Sequence, residues 1–204
     1  MIVIVDYGMG NVRSLRNAFD FLGYDAIISR DINDLEAADR IVLPGVGAFR
    51  DAIVAIRALG LEAPLCHYAL EVRKPILGVC LGMQLLAKTS VEYGTHKGLG
   101  WIDADVIPLK SSSVDKVPHV GWNDIKITGS EWLFEGLPKN PDFYFVHSFH
   151  MACANQSSVI ATSTHNGDFT AAVAHKNIVA TQFHPEKSQD NGLKVLDNWL
   201  NREF

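Results

Sequence analysis

Residues 74–87, KPILGVCLGMQLLA, place a cysteine between two glycines where a short apolar run meets a helical pattern. The run PILGV is typical of a buried strand, and the spacing of apolar residues from Leu81 to about Lys88 predicts a helix. A cysteine that only filled the core would need no glycine on either side. The stretch therefore predicts a strand, a sharp turn that carries Cys80, and a helix.

The first half of the chain alternates strand and helix patterns. The runs IVIV, YDAIISR and RIVL predict strands, and Asn11 and Gly23 are placed to begin and end the first helix. One or two helices are predicted over residues 48–72. Strands that alternate with helices are typical of a parallel sheet that is covered by helices on both faces.

The second half consists mainly of strand patterns that are separated by Gly, Asn, Pro and Ser turns. These patterns are GLGWIDADVIPL, HVGWNDIKI, DFYFVHSFHMA, SVIATSTH, FTAAVAHK and IVATQF. A helix with one apolar face is predicted from Ser188. No pattern resembles an interdomain linker, so we expect one α/β domain over residues 1–204, with a mostly parallel central sheet and an antiparallel extension.

The 204 residues carry a formal net charge of −5, and the mean hydropathy is +0.07. This balance excludes the basic field that binding to nucleic acid or anionic lipid requires. The sequence lacks the pattern of a signal peptide, and no apolar run approaches the roughly 18 residues of a membrane span. Cys66, Cys80 and Cys153 form no C-x-x-C pair, which argues against a disulfide framework and a thiolate zinc site. We therefore expect a cytoplasmic protein.

Two further patterns resemble a dinucleotide site and a metal site but lack residues that such sites require. DYGMGN has the G-x-G of a dinucleotide site, but Arg13 stands where the third glycine belongs, so a tight strand-to-helix turn is the better interpretation. His147 and His150 in VHSFH point to opposite faces of a strand and lack a thiolate or carboxylate pair. We therefore expect no metal and no cofactor.

Gly78-Val79-Cys80-Leu81-Gly82 is G-x-C-x-G, the cysteine form of the nucleophile elbow. A nucleophile on a sharp strand-to-helix turn adopts a strained backbone, and its neighbours crowd it unless they lack a Cβ atom. The turn also places the thiol at a helix N-terminus, where the helix dipole favours the thiolate. A buried structural cysteine is the competing interpretation, so the elbow needs a partner.

The candidate partner is TQFHPEKS, in which His184, Pro185 and Glu186 follow a predicted strand. In an extended segment residues i and i+2 point the same way, so Glu186 can hold one imidazole nitrogen and leave the other to take the Cys80 proton. This is the nucleophile, base and orienter arrangement of a catalytic triad. The alternative is a histidine at a strand end beside a carboxylate that only complements a helix dipole.

An acyl-transfer site also needs hydrogen-bond donors for an oxyanion, each worth roughly 2.7–4 kcal/mol in the transition state. The amide of Leu81, directly after the nucleophile, is one candidate. The loop Pro44-Gly45-Val46-Gly47 is placed to supply another from the carboxyl edge of the sheet. A plain strand-to-helix turn is the alternative interpretation of this loop.

Several separated motifs resemble one family. GVCLGMQ and QFHPEKS are similar to the two signatures of class I (triad) glutamine amidotransferases. DYGMGN, LPGVGAF, PHVGWN and FYFVHS narrow the resemblance to the glutaminase subunits of imidazole glycerol phosphate synthases. The resemblance implies a three-layer α/β/α domain and a catalytic triad of Cys80, His184 and Glu186. Met83 stands where related synthases usually have histidine, which favours the branch of histidine biosynthesis.

The resemblance also implies roles for the residues around the triad. The oxyanion residues would be Val46, Gly47 and Leu81. The residues that bind the glutamine substrate would be Gly45, Gln84, Glu92, His147 and Ser148. The residues that face the partner, a (βα)8-barrel cyclase subunit in a heterodimer, would be Trp122, Asn123, Tyr144 and Lys187.

The implied activity is hydrolysis of glutamine through a thioester on Cys80, with the ammonia passed to the cyclase subunit. Three alternatives stay open. A paralogous amidotransferase of surface-polysaccharide synthesis would pass ammonia to a barrel-like synthase that modifies a sugar, and GLGWIDADV and HSFHMAC resemble that branch. Gln84 and FHPEKS argue against a cysteine peptidase. The presence of all three triad residues argues against a pseudo-glutaminase that only regulates a partner.

Overall fold

The computed structural model describes residues 1–112 and 116–204. Its strands are β1 (Ile2–Val5), β2 (Ala26–Ser29), β3 (Arg40–Leu43), β4 (Ile76–Val79), β5 (Thr89–Ser90), β6 (His96–Lys97), β7 (Ala104–Pro108), β8 (His119–Asp124), β9 (Lys126–Ile127), β10 (Asp142–His147), β11 (Phe149–Cys153), β12 (Val159–Thr164), β13 (Asp168–His175) and β14 (Ile178–Thr181). Its α-helices are α1 (Val12–Phe21), α2 (Ile32–Ala37), α3 (Phe49–Ala58), α4 (Glu62–Cys66), α5 (Leu81–Leu85) and α6 (Gln189–Asn201). A π-helical turn, His67–Glu71, continues α4, and 3-10 turns span Glu131–Phe134, Gln156–Ser158 and Pro185–Lys187.

The central sheet has eight strands in the order β2-β1-β3-β4-β14-β13-β12-β9. The strands from β2 to β14 are parallel to one another. The remaining three, β13, β12 and β9, extend the sheet in antiparallel pairs. This arrangement confirms the predicted parallel sheet with an antiparallel extension. It also brings the carboxyl ends of β3, β4 and β14 together at one edge.

The alternation of side chains along the parallel strands gives the sheet two apolar faces. Val3 and Val5 pack with α2, α3, α4 and α5 on one face. Ile2 and Ile4 pack with α1 and α6 on the other face. The sheet is therefore the middle of three layers, as predicted.

The remaining strands of the described residues form two smaller sheets that are separate from the central sheet. One has the strand order β11-β7-β5-β6, and the other is an antiparallel ribbon of β8 and β10. The pattern DFYFVHSFHMA predicts one strand, but it divides at Ser148 because β10 pairs with β8 and β11 pairs with β7. β5 and β6 were not predicted, because two residues are too few to show an alternating pattern.

Two helix ends differ from the prediction. α5 ends at Leu85 rather than near Lys88, because the carbonyls of residues 85–87 accept from the amides of Leu99, Gly100 and Ile102 and not from a further helical turn. Asn11 occupies the N-cap position of α1 but caps no backbone amide, since its side-chain oxygen accepts from the Ser14 hydroxyl (2.9 Å). Gly23 follows α1 with a φ of 81°, the conformation that a glycine stop requires.

Within residues 1–112 and 116–204, no single helix is long and apolar enough to cross a membrane. The helices Phe49–Ala58 and Glu62–Glu71 satisfy the length and composition requirement only as a pair, and they are bent by 99° at the break between them.

Candidate active site

The turn between β4 and α5 holds Cys80 in a strained backbone conformation. Its φ is 54° and its ψ is −110°, a combination that residues with a side chain rarely adopt. Close packing explains the glycine at 82, where a Cβ atom would overlap the carbonyl oxygen of Leu43. At Gly78 a Cβ atom would lie 3.0 Å from that of Ala180. The turn thus has the elbow geometry that G-x-C-x-G predicts.

β14 runs parallel beside β4 and carries the residues that face Cys80. The Cys80 amide donates to the Thr181 carbonyl at the end of β14 (2.8 Å). Beyond that point successive side chains point to opposite sides, so Gln182 and His184 turn toward the cysteine while Phe183 is buried in the core. The segment TQFHPE therefore presents two polar side chains to one thiol.

His184 and Glu186 form a buried pair. His184 Nδ1 lies 2.8 Å from Glu186 Oε1, and the two side chains are 2% and 1% exposed. Because a carboxylate only accepts, Nδ1 carries the hydrogen and Nε2 has its lone pair available. Among residues 1–112 and 116–204, neither His184 Nε2 nor Glu186 Oε2 has a hydrogen-bond partner. An unpartnered imidazole nitrogen beside a thiol is placed to accept its proton.

The surroundings of His184 favour its protonated form. Burial alone would lower its pKa. A Cys80 thiolate contributes a negative charge and accepts a hydrogen bond once Nε2 is protonated, and Glu186 contributes a hydrogen bond and a second negative charge. Together they outweigh burial and raise the pKa from 6.5 to about 10. The site therefore stabilises an imidazolium at His184 whenever Cys80 is a thiolate.

Two contacts behind the pair fix the turn that carries His184. The Ser188 hydroxyl donates to the His184 carbonyl (2.6 Å) and accepts from the Tyr144 amide (2.9 Å), which ties the turn to β10. Gly192 of α6 lies against the same turn, and a Cβ atom there would overlap the Pro185 carbonyl oxygen. The position of His184 is therefore set by both the β8–β10 ribbon and α6.

The Cys80 thiol has two further polar neighbours. Its sulfur lies 3.8 Å from the Val146 carbonyl oxygen, to which the thiol donates, and 3.8 Å from the donor Gln182 Nε2. Gln182 Oε1 in turn accepts from Gln84 Nε2 (3.0 Å). The same Gln84 nitrogen donates to the Phe149 carbonyl (2.9 Å). A chain of buried amides thus leads from β11 to the sulfur.

The amide of Leu81 is already occupied by a carbonyl group. It donates to the carbonyl oxygen of Gly45 at 3.4 Å. Because a trans peptide holds its C=O and N–H in opposite directions, the Val46 amide of the same peptide points away from Leu81. The Tyr7 hydroxyl donates to the Pro44 carbonyl (2.7 Å) and holds the preceding peptide in place. Of the two predicted oxyanion donors, one is therefore occupied and the other is turned away.

These groups surround one cavity of about 230 Å³ at the carboxyl edge of the parallel strands. The cavity is lined by most of the residues that sequence reasoning selects for catalysis and substrate binding: Val46, Gly47, Cys80, Leu81, Gln84, Glu92, His147, Ser148 and His184. Gly45 and Glu186 lie behind this lining, in contact with Leu81 and His184. The predicted residues therefore converge on one site.

Two residues of the lining are themselves held by backbone groups. Glu92 Oε2 accepts from the Phe49 amide (2.7 Å), which anchors the carboxylate at the start of α3. His147 is buried, its Nδ1 donates to the Phe149 carbonyl (2.9 Å), and its Nε2 pairs with His119 (3.0 Å). Burial lowers the pKa of His147 from 6.5 to about 3, so this imidazole is neutral at neutral pH.

Residues 3–202 match the family described as Glutamine amidotransferase class-I. The chain belongs to the class I glutamine amidotransferases. A Nitrobacter winogradskyi protein named imidazole glycerol phosphate synthase subunit HisH 2 is 48% identical to the amidotransferase, over 98% of this chain and 97% of that protein. A Sulfurimonas denitrificans protein named imidazole glycerol phosphate synthase subunit HisH is 46% identical, again over 98% and 97%. The amidotransferase is therefore a member of this HisH family, which confirms the resemblance that the motifs indicate.

Solved structures share the fold of the amidotransferase at lower sequence identity. A crystal structure described as glutamine amidotransferase has a TM-score of 0.75 at 24% identity, and the match covers 98% of this chain and 99% of that one. The structure of PurLQS from Thermotoga maritima has a TM-score of 0.74 at 21% identity, with coverage of 98% and 97%. These matches confirm the predicted fold class.

The outer face of the β8–β10 ribbon adjoins the cavity of the amidotransferase. Val120, Trp122 and Val146 on this face are 56%, 44% and 36% exposed. Tyr144 contacts the edge of Trp122 (6.2 Å between ring centres), and Lys187 Nζ lies 5.7 Å from the centre of the Tyr144 ring. These five residues form one surface, which we call the ribbon patch. Three of the residues predicted to face a partner belong to it, and Val146 also lines the cavity.

Asn123 does not join the ribbon patch. It alternates with Trp122 along β8 and points to the inner side of the ribbon. There its side-chain amide contacts His119 (3.3 Å) and donates to the Thr164 carbonyl (3.0 Å). The side chain is therefore engaged within the amidotransferase, and its predicted contact with a partner stays a prediction.

Sequence reasoning missed several residues of this amidotransferase site, among them Gln182 and Tyr7. Gln182 stands two positions before His184, so the alternation of an extended strand places both on one side, and this signal was available. Tyr7 lies in DYGMGN, directly after Asp6 at the carboxyl end of β1, and nothing in the sequence alone shows that its hydroxyl reaches Pro44.

Proposed function

We propose that the chain is the glutaminase subunit of an imidazole glycerol phosphate synthase, which hydrolyses glutamine to glutamate and passes ammonia to a cyclase subunit in histidine biosynthesis. The main supporting observation is the presence, in one cavity, of a strained elbow cysteine and the buried His184–Glu186 pair. The full-length similarity to proteins named HisH supports the pathway.

The first half of the proposed reaction uses Cys80, His184 and Glu186 as a catalytic triad. Glu186 accepts the Nδ1 hydrogen of His184 and holds the ring with Nε2 available to the thiol. Nε2 takes the Cys80 proton, and the thiolate attacks the side-chain carbonyl carbon of glutamine. The imidazolium then protonates the leaving nitrogen, the C–N bond breaks, and ammonia departs from a thioester.

The second half hydrolyses the thioester with the same groups. His184, neutral after giving up its proton, takes a proton from water, and the resulting hydroxide attacks the thioester carbonyl. The second tetrahedral oxyanion collapses, the C–S bond breaks, and glutamate leaves. The proton on His184 returns to the sulfur. Each cycle therefore consumes glutamine and water and releases glutamate and ammonia.

The resting oxyanion loop is expected to make the isolated subunit slow. The Gly45 carbonyl occupies the Leu81 amide that the oxyanion would need. Rotation of the Gly45–Val46 peptide would release the Leu81 amide and turn the Val46 amide into the cavity, which provides two donors. Glycine at position 45 and Gly47, with its φ of 98°, give the backbone freedom for this rotation. We propose that the liganded partner favours the rotated peptide.

The proposed contacts for the amino-acid end of glutamine line the same cavity as the oxyanion loop residues. Glu92 supplies the negative charge that an α-ammonium group requires, and the Phe49 amide holds that carboxylate in place. Gln84 and Ser148 line the same region, and His147 contributes a neutral ring. Because His147 is neutral, it does not compete with the substrate ammonium for the charge of Glu92.

The ribbon patch is the proposed binding surface for the partner, a (βα)8-barrel cyclase subunit. Ammonia that escaped into water would be protonated and would lose its nucleophilicity, so it must pass directly to its acceptor. Val146 belongs to both the patch and the cavity lining, so a partner on the patch lies next to the site where ammonia forms. Trp122 and Tyr144 supply the aromatic contacts that such interfaces favour.

The proposal is tested by glutamate release from glutamine, measured with the chain alone and with a histidine-pathway cyclase subunit and its ligand. We expect slow release alone and release at least about 10²–10³-fold faster with the liganded partner, because that factor corresponds to one oxyanion donor and the rotated peptide provides two. Cys80→Ala should abolish release in both states. Cys66→Ala is the matched control, since Cys66 is a free thiol outside the cavity lining.

Glutamate release that survives Cys80→Ala would reject the triad. Transfer of the amide nitrogen is followed with ¹⁵N-labelled glutamine, and label should appear in the cyclase product. Label that reaches the product of a sugar-modifying synthase, with none in the cyclase product, would instead place the subunit in the paralogous branch.

A further inference from the structure

A buried glutamine contacts the sulfur of Cys80, although the triad assigns it no part. Gln182 is fully buried, and its Nε2 lies 3.8 Å from the Cys80 sulfur. Its backbone amide donates to the Ala171 carbonyl (2.8 Å), which fixes the residue to β13. A primary amide is costly to bury unless its polar atoms have partners, so its two side-chain contacts indicate its role.

The orientation of the Gln182 amide follows from the carbonyl at the other end of the contact chain. The Phe149 carbonyl can only accept, so the Gln84 atom 2.9 Å from it must be the donor Nε2. The same nitrogen lies 3.0 Å from Gln182, which must therefore present its oxygen to Gln84. The remaining group of the Gln182 amide, its NH₂, faces the sulfur.

We propose that Gln182 is a catalytic residue of the glutaminase, which stabilises the Cys80 thiolate by donating an N–H hydrogen bond to the sulfur. This role rests on the proposed function of Cys80 as the nucleophile. The Val146 carbonyl acts in the opposite direction, because it can accept only from the neutral thiol. When the proton moves to His184 the Val146 contact is lost, and the Gln182 hydrogen bond strengthens because its acceptor is now charged.

Other titratable groups also face the sulfur and must stay constant in a test of Gln182. His184 and Glu186 approach from the end of β14, and Tyr7 approaches from the end of β1. Glu92 and His147 line the same cavity. Substitution of Gln182 alone leaves all of these groups in place, so a change in thiolate formation reports on the lost donor.

The test is the pH dependence of Cys80 alkylation by iodoacetamide in the intact protein, followed by mass spectrometry at residue 80. The thiolate reacts and the thiol does not, so the midpoint of the rate profile reports on thiolate formation without glutamine turnover. Gln182→Met preserves the length of the side chain and removes the donor. We expect the midpoint to rise by about one pH unit, as for the loss of one hydrogen bond to a charged group. The kcat for glutamine should fall most at low pH and recover as the pH rises.

Thr181→Val is the matched control. Thr181 is fully buried at the end of β14, directly before Gln182, and the valine variant loses the hydrogen bond from the Thr181 hydroxyl to the Phe183 carbonyl (3.0 Å). By the alternation of an extended segment, the Thr181 side chain points to the side opposite that of Gln182. The alkylation midpoint of Thr181→Val should equal that of the wild type even if the protein is less stable. Gln182→Leu is a second removal of the donor if circular dichroism shows that the Met variant does not fold.

A folded Gln182 variant with an unchanged midpoint would overturn the proposal, and so would an equal shift in Thr181→Val. Alkylation does not depend on turnover. The Gln182 variants could therefore show the expected shift of the alkylation midpoint even if the wild type hydrolysed no glutamine, alone or with its partner. That combination of results would reject the proposed function but not the donor role of Gln182 at the sulfur.

Discussion

The two walls of the cavity each carry a buried histidine, and the two histidines have opposite electrostatic surroundings. The wall at the end of the parallel strands carries His184, 1% exposed, whose pKa is raised to about 10 although burial acts to lower it. The wall formed by the ribbon and β11 carries His147, 6% exposed, whose pKa burial lowers to about 3. Glu186 and Cys80 offer negative charge to His184, whereas a carbonyl and the imidazole of His119 are the partners of His147.

Burial alone would make both rings neutral, so the partners decide which histidine carries a proton. The proposed role of the wall with His184 is to move protons at the sulfur. The wall with His147 carries a neutral ring and is the proposed place for contacts with the substrate, and its outer face is the ribbon patch. Three substitutions separate these roles.

The largest effect is expected in the first wall. Glu186→Gln preserves the volume of the side chain but replaces an accepting carboxylate with an amide, so the pKa of His184 should fall and turnover should fall by about 10⁴-fold. NMR titration of the imidazole resonances measures the pKa, and glutamate release measures turnover. The pKa of His147 should not move. Unchanged kinetics would remove Glu186 from the mechanism and with it the contrast between the walls.

A smaller effect is expected on the outer face of the second wall. Trp122→Ala removes the largest exposed ring of the ribbon patch, and we expect the dissociation constant for the cyclase subunit to rise by about 30-fold, or about 2 kcal/mol. Isothermal titration calorimetry measures the change. Phe21→Ala is the control, because Phe21 is 76% exposed on α1, away from the patch. Equal affinities for the two variants would contradict the docking surface.

The smallest effect concerns the stability of the second wall. Between pH 6.5 and about 3 the unfolded chain protonates His147 while the folded chain keeps it neutral, so the free energy of unfolding decreases as the pH falls through this range. One such proton contributes a slope of about 1.4 kcal/mol per pH unit. His147→Gln should therefore show a shallower loss of stability in acid, as measured by urea unfolding. His175→Gln, at an exposed histidine, should retain the wild-type slope.

His184 contributes to stability with the opposite sign. Because its folded pKa is raised, its contribution is complete below pH 6.5 and is lost as the pH rises toward about 10. The same urea experiment in alkaline solution should therefore show a shallower slope in Glu186→Gln, which keeps the contribution of Cys80, and an unchanged slope in His147→Gln. If Glu186→Gln and His147→Gln showed the same dependence of unfolding free energy on pH in both acid and alkaline solution, the proposed difference between the two histidines would be wrong.

The parallel half of the fold could be predicted because its signals are local. IVIV, RIVL and PILGV are apolar runs that each precede a helical pattern, and each became a strand of the central sheet. The division of DFYFVHSFHMA at Ser148 could not be predicted. Both halves of that segment read as strand, and only the partners β8 and β7, which lie elsewhere in the sequence, separate them.

The chemical groups of the site were predicted better than their orientations. The glycines around Cys80 and the spacing of His184 and Glu186 can be read directly from the sequence, and they identify the groups of the site. The direction of the Gly45 carbonyl cannot be read in this way, because glycine tolerates both orientations of its peptide. Asn123 points inward because the register between β8 and β10 places Trp122 on the outer face, and register is a property of the pair of strands.

The pairing of β4 with β14 has a consequence for the order of folding. Cys80 and Gln182 meet across 102 residues of sequence, and contacts of such separation form late because a long loop must close first. A molecule in which only the early strands have assembled holds the thiol without its base or its amide donor. Such a molecule cannot consume glutamine, so competence for the reaction appears only when the sheet is complete.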